Sequence, residues 1–262
     1  THQYISTGKK ENKFGLDLQR AAEAYAMAAK LPGLELAGLH IHIGSQILSA
    51  DPFGDALAKI KPLVADMKKL YPQFRYLDIG GGIGIQYKPD QAPLAPAAYA
   101  AKVVPLLKEM KMEIVMEPGR FLVGNAGALV TKVLYRKSVE EKEFVIVDAG
   151  MNDLIRPSLY DSYHGILPVV ERDQNEITAD VVGPICESGD FLAKKRTMAD
   201  VAQGELIAVM SAGAYGFSMS SNYNSRPRVA EVLVRDDQFY VVRKRETYED
   251  LVRGEVIPEY HI

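Results

Sequence analysis

The sequence predicts an α/β unit followed by a mostly antiparallel β domain. Three short apolar runs, over residues 36–43, 75–79 and 113–116, alternate with stretches of helical period, the order that builds a parallel sheet. Each run ends in a polar motif: His42-Ile43-Gly44-Ser45, Gly80-Gly81-Gly82 and Glu117-Pro118-Gly119-Arg120. Polar chemistry at the carboxyl ends of parallel strands is the arrangement of an α/β barrel. From about residue 126 the helical period gives way to strand-like runs. The expected domains are therefore 1–125 and 126–262. A closed barrel needs eight β/α units, and only about three to four precede the β part. Either the sheet is open or the other half of the barrel lies outside this chain.

In chain order, Leu16–Leu31 is alanine-rich, with Ala21, Ala22, Tyr25, Ala26 and Ala29 at helical spacing. Phe53–Tyr71 repeats that pattern around Pro62, which is expected to bend it. A third helix spans Pro96–Met110, with Pro96 at a favourable first position and Pro105 inside. Glu113–Met116 reads as a buried parallel strand. In the second half, strands are expected at 128–137, 143–148, 178–185, 205–211, 228–235 and 238–244. Asp236-Asp237 forms the turn between the last two, and Tyr248–Arg253 gives a closing helical turn or two.

Composition narrows the class. The 262 residues are 47% hydrophobic and 25% charged, ordinary for a globular chain. A net charge of −3 without a basic stripe argues against nucleic acid as a partner. No apolar run reaches the ~18 residues of a membrane span. Cys186 is the only cysteine, which fits a reducing, cytoplasmic compartment. No stretch reads as a signal peptide, and a start at Thr1 rather than Met suggests a missing N-terminal part.

The motifs suit a phosphorylated, nitrogen-containing cofactor. His40 and His42 share one strand face, and a flat imidazole followed by Gly44-Ser45 can stack on a ring and donate to phosphate. The Gly80-Gly81-Gly82-Ile83-Gly84 run is not a dinucleotide fingerprint, because Tyr87, Pro89 and Pro93 separate it from the next helix; a nest around one phosphate fits better. Glu117 can hold a pyridine nitrogen protonated, and Arg120 can grip a carboxylate. Asp148-Ala149-Gly150-Met151-Asn152-Asp153 lacks the spacing of a calcium loop and reads as a turn; no metal site is expected. Arg156 and Tyr160 set a cation and a phenol four residues apart, on a solvated turn or at a site. Cys186-Glu187-Ser188-Gly189-Asp190 suggests an exposed loop whose thiol could act as acid or nucleophile. Tyr215, in Gly213-Ala214-Tyr215-Gly216, is either core or a phosphate donor.

Taken in order, His-x-Gly-Ser, Gly-Gly-Gly, Glu-Pro-Gly-Arg, Arg-Pro-x-Leu-Tyr, Cys-Glu-Ser-Gly-Asp and Gly-Ala-Tyr resemble the fold-type III pyridoxal-phosphate decarboxylases, with an alanine-racemase-like barrel and a β domain. The resemblance runs from Lys13-Phe14-Gly15 to the final strands. It implies pyridoxal 5′-phosphate as cofactor, with His42 on the ring and Glu117 at the pyridine nitrogen. Ser45, Gly81, Gly82, Gly119, Arg120 and Tyr215 would hold the cofactor. Arg120, Arg156, Tyr160, Glu187 and Tyr215 would hold an amino acid substrate, and Cys186 would return a proton. It further implies a homodimer in which the Cys186 loop serves the partner's site. The resemblance is greatest to members converting meso-2,6-diaminopimelate to L-lysine and CO2. Arginine, ornithine or carboxynorspermidine decarboxylases, or a non-catalytic regulatory homologue, are the alternatives. The family's Schiff-base lysine has no counterpart, since Lys9, Lys10 and Lys13 fall later in the pattern. The chain is thus expected to be a C-terminal portion, inactive by itself.

Overall fold

The computed structural model describes residues 14–260; Lys9, Lys10 and Lys13 lie outside them. The chain divides into two compact units, Thr1–Asn125 and Ala126–Ile262.

In the first unit the order is α1 (Leu18–Ala28), β1 (Gly38–His40), α2 (Asp51–Leu70), β2 (Tyr76–Asp78), α3 (Pro96–Met110), β3 (Glu113–Val115) and α4 (Gly119–Val123). The three strands pair in parallel in sequence order, with Leu39, Leu77 and Ile114 in register. α2 buries Phe53, Leu57, Ile60, Val64 and Met67, one stripe at spacings of three and four, the first four of them in one core with Leu77 and Val103. Phe53 and Tyr99 meet edge to face at 5.0 Å. Pro96 opens α3 as expected, while α2 and α3 run on through Pro62 and Pro105 as continuous helices. β1 is shorter than the 36–43 predicted. One further bond follows it, from Ile41 N to Asp78 O at 2.9 Å, before the chain turns away into Gly44 at φ 145°. β3 departs from the buried strand expected: Ile114 and Val115 are 38% and 42% exposed, because β3 is an edge of this sheet.

The second unit contains β4 (Leu129–Val139), β5 (Lys142–Val147), α5 (Arg156–Tyr160), β6 (Ile166–Pro168), β7 (Glu176–Val182), β8 (Phe191–Ala199), β9 (Leu206–Val209), β10 (Glu231–Arg235), β11 (Gln238–Arg243) and α6 (Tyr248–Val252). Six strands form one sheet in the order β6-β9-β4-β5-β7-β8, antiparallel except for the β5–β7 pair. The two ends of that order, β6 and β8, approach each other, so the sheet curls toward a barrel. Its core is Val133, Val145, Val147, Val181, Leu192, Ile207 and Val209. β10 and β11 make a separate hairpin turning at Asp236, φ 56°. The periodicity did not reveal β8. Lys194, Lys195 and Arg196 interrupt its apolar pattern, and the ladder is irregular where Lys195 takes φ 44° and donates its amide to Asp180. Among the described residues no helix is long and apolar enough to cross a membrane.

Across the base of the hairpin, Arg228 clasps the Glu246 carboxylate through Nε, Nη2 and its backbone N–H, and Asn222 adds a fourth donor at 2.6 Å. These donors lower the Glu246 pKa from 4.5 to about 2. A depressed carboxylate stabilises the fold above its unfolded pKa and loses that contribution as pH falls. Stability from this clasp is therefore complete above pH 4.5 and fades toward pH 2. Glu246→Gln is expected to flatten the acid limb of a melting-temperature profile in that window. An unchanged limb would show that the clasp does not form in solution.

Candidate active site

Glycines bring the three strand-end loops of the first unit together. A Cβ at Gly80, Gly81 or Gly82 would fall within 3.0 Å of Ile41 O, Glu117 O or Gly44 O respectively, so each glycine faces the backbone of a neighbouring loop. Gly80 and Gly82 also take left-handed conformations, φ 68° and 95°. Asp78 Oδ1 accepts the Gly80 N–H at 2.8 Å, and Glu117 N donates to Gly80 O at 2.9 Å. The nest is thus also a junction between β2 and β3.

Around that junction stand the side chains picked from the sequence. Gly81 N donates to His42 Nδ1 at 3.4 Å, which ties the imidazole to the nest. Arg120 is buried, and it donates through Nη2 to Ser45 Oγ at 2.9 Å and through Nη1 to Tyr87 Oη at 2.6 Å. His40 Nε2 lies 3.4 Å from Glu117 Oε2. His40, Asp78 and Glu117 each bring one ligand-type atom within 4.8 Å of the others, although Asp78 is already occupied capping Gly80. The Gly119 amide donates to Glu117 O at 2.8 Å, inside its own turn.

In the second unit, Arg156 opens α5 and is buried rather than on a solvated turn. Its Nη1 lies 2.9 Å from Nε2 of the fully buried His164. Tyr160, at the other end of α5, is half-buried. The Cys186 loop is exposed, as its polar neighbours suggested. Asp190 holds that loop, its two carboxylate oxygens accepting from Ile185 N and Met151 N at 2.6 Å each. Burial pushes the Asp190 carboxyl up, against the pull of those donors. Glu187 accepts from Tyr223 Oη at 2.6 Å, and this carboxylate pushes the Tyr223 phenol up. A cavity of about 470 Å³ lined by Met151, Asn152, Ile155, Glu187, Ser221 and Tyr223 opens beside the loop, within the range of ligand pockets. Tyr215 is 43% exposed and holds φ 61°, a conformation an aromatic residue adopts only under local constraint. Asp153 accepts from Gly150 N and Asn152 Nδ2 within a turn, while Asp148 accepts from Thr131 and Lys132 of β4.

The first-unit residues fit a phosphorylated pyridine. A buried guanidinium already paired to a hydroxyl suits phosphate, a flat imidazole anchored on the nest suits a ring face, and an exposed carboxylate suits a protonated ring nitrogen. Sequence reasoning missed Tyr87, His164, Asp190 as a loop clamp and Tyr223. Their roles depend on partners 33 to 39 residues away for Tyr87, Tyr223 and Asp190, while His164 lies only eight residues past Arg156 and was the one within reach. Gly81→Ala is expected to destabilise the first unit by about 1–3 kcal/mol, the cost of overpacking, and to weaken cofactor binding by distorting the glycine loop against the Glu117 backbone. Gly119→Ala meets nothing within 4 Å and is expected to leave stability within about 0.5 kcal/mol. Denaturant unfolding of the two variants checks the contrast.

Comparison with known proteins follows the same line. The family described as "Pyridoxal-dependent decarboxylase, C-terminal sheet domain" matches residues 20–213. A diaminopimelate decarboxylase of Aquifex aeolicus is 50% identical over 252 residues, 96% of this chain and 60% of that protein. One of Pseudomonas aeruginosa is 51% identical over 255 residues, 97% of this chain and 61% of that protein. The crystal structure of diaminopimelate decarboxylase from Helicobacter pylori complexed with L-lysine superposes with a TM-score of 0.90 at 43% identity, covering 97% of this chain and 63% of that one. The chain thus spans about 60% of the length of the curated relatives it matches.

Proposed function

The chain belongs to the pyridoxal-dependent decarboxylases, and on that premise we propose that the enzyme carrying it converts meso-2,6-diaminopimelate to L-lysine and CO2. The observation that carries the substrate assignment is the pair of opposite charges in the second unit. Glu187 is held by Tyr223 beside the exposed thiol, and Arg156 is held by His164. The far end of diaminopimelate carries both an ammonium and a carboxylate, and these two side chains answer one charge each. Ornithine and arginine have no carboxylate there. The relatives named above share this activity by name, and the Helicobacter pylori structure holds L-lysine, the product expected here.

Pyridoxal phosphate, when bound, would supply an electron sink for the electron pair left on the carbon as the carboxylate departs as CO2. The chain's own residues bind and orient. Ser45, Arg120, backbone groups of Gly81, Gly82 and Gly119, and the Tyr215 hydroxyl would hold the phosphate; His42 would cover one ring face; Glu117 would keep a proton at the ring nitrogen. Arg120, Arg156, Tyr160, Glu187 and Tyr215 orient the amino acid. Cys186 Sγ delivers a proton to the carbon that lost its carboxylate. The enzyme works as a homodimer in which the Cys186 loop completes the partner's site, and it acts in the cytoplasm, where the Cys186 thiol stays reduced.

A substrate panel tests the reading. Diaminopimelate is expected to be turned over in preference to lysine, ornithine and arginine. Faster decarboxylation of ornithine or arginine would overturn the substrate while leaving the family untouched.

A further inference from the structure

We propose that His164 is a positioning residue for Arg156: its neutral imidazole, locked in one tautomer, orients the guanidinium that grips the far carboxylate of the substrate. The proposal rests on the reading of Arg156 as a substrate contact.

His164 is completely buried. Its Nδ1 lies 2.8 Å from Met210 O, a carbonyl that can only accept, so Nδ1 carries the proton. Its Nε2 lies 2.9 Å from Arg156 Nη1, which can only donate, so Nε2 is the acceptor. Together the two contacts specify the neutral Nδ1–H form. A second ring proton would set Nε2–H against a guanidinium N–H. The backbone fixes the ring as well, since Met210 N donates to Gly165 O at 2.8 Å, next to the bond from the imidazole to Met210 O. Arg196 donates to the carbonyl of His164 and lies 3.8 Å over the Tyr163 ring, so that turn is held against β8 too.

A neutral acceptor has a property that an acid in its place would lack. It sets the direction of the guanidinium and adds no negative charge to compete with a substrate carboxylate. The five-residue helix α5, with Arg156 at its first position, is too short to orient a long side chain alone.

Two substitutions separate positioning from plain structure. The amide of His164→Asn can replace the Nδ1 bond to Met210 O but cannot reach Arg156. His164→Gln can place an oxygen near the Nε2 position and keep the acceptor. In the active enzyme carrying this sequence, His164→Asn is expected to raise KM for diaminopimelate about ten- to a hundredfold, the size of one lost hydrogen bond to a charged group. Turnover number and cofactor absorbance stay close to wild type. His164→Gln is expected to recover most of the KM. Inhibition by L-lysine, which keeps the far carboxylate, weakens in parallel in the Asn variant; inhibition by 1,5-diaminopentane, which has none, does not move. An unchanged KM in His164→Asn, or equal losses for both variants and both inhibitors, would overturn the proposal. Nitrogen-15 spectra of the unmutated protein decide it even where a variant does not fold: the imidazole must be protonated at Nδ1 and bare at Nε2, and the reverse pattern sinks the idea. Wild-type enzyme inactive on diaminopimelate would instead defeat the functional reading, with the spectra still reporting on the His164–Arg156 contact.

Discussion

Glu117→Gln is expected to keep the cofactor and lose about ten- to a hundredfold in turnover number, with KM little changed. The carboxylate stands at the end of β3, half exposed, with His40 Nε2 at 3.4 Å from Oε2. It can hold a proton on a ring nitrogen because it carries a full negative charge; an amide of the same shape accepts a hydrogen bond and stabilises no cation. A hydrogen bond to a charged group contributes about 1.5–3 kcal/mol, which is the stated range if the loss falls on the transition state alone. Cofactor affinity should survive, because Arg120 and Ser45, the residues proposed to take the phosphate, hold each other independently of residue 117. Near wild-type turnover in this variant would mean that Glu117 does not face the ring nitrogen. Loss of cofactor together with turnover would move Glu117 into the structural frame of the loops.

The β/α order of the first unit was readable because helix period and strand length differ, and α2 and α3 begin and end close to where the pattern put them. The polar motifs at strand ends were readable because glycines, a proline and charged residues interrupt apolar runs. Partnership was not readable. Nothing local in the sequence says that Arg120 meets Ser45 across 75 positions, or that Tyr223 holds Glu187 across 36. Gly80–Gly82 read from the sequence as a phosphate nest; the structure shows that they are required where neighbouring backbones meet, a role no local pattern announces. β8 escaped because its basic centre sits on a bulge, where alternation of faces fails. α5 escaped because one turn of helix has too little period to detect.

Cys186→Ala is expected to be the most damaging single change, lowering turnover by about 10²- to 10⁴-fold, the range for loss of a positioned proton donor. The thiol is exposed on a loop that Asp190 clamps from below through the Ile185 and Met151 amides, so its removal leaves the fold and the clamp unaltered. Mixing variants tests where it acts. Take one chain with Cys186→Ala and another with Glu117→Gln, each impaired as a homodimer. If the loop completes the partner's site, a mixed dimer contains one site with Glu117 from the first chain and Cys186 from the second, both native. Its other site has neither. Purified mixed dimers should then recover about half of wild-type activity, the share of one intact site in two. If each chain uses its own cysteine, both sites of the mixed dimer are damaged, and activity stays at the average of the two homodimers. Mixed dimers that form but show only that average would refute the shared site and return Cys186 to its own chain.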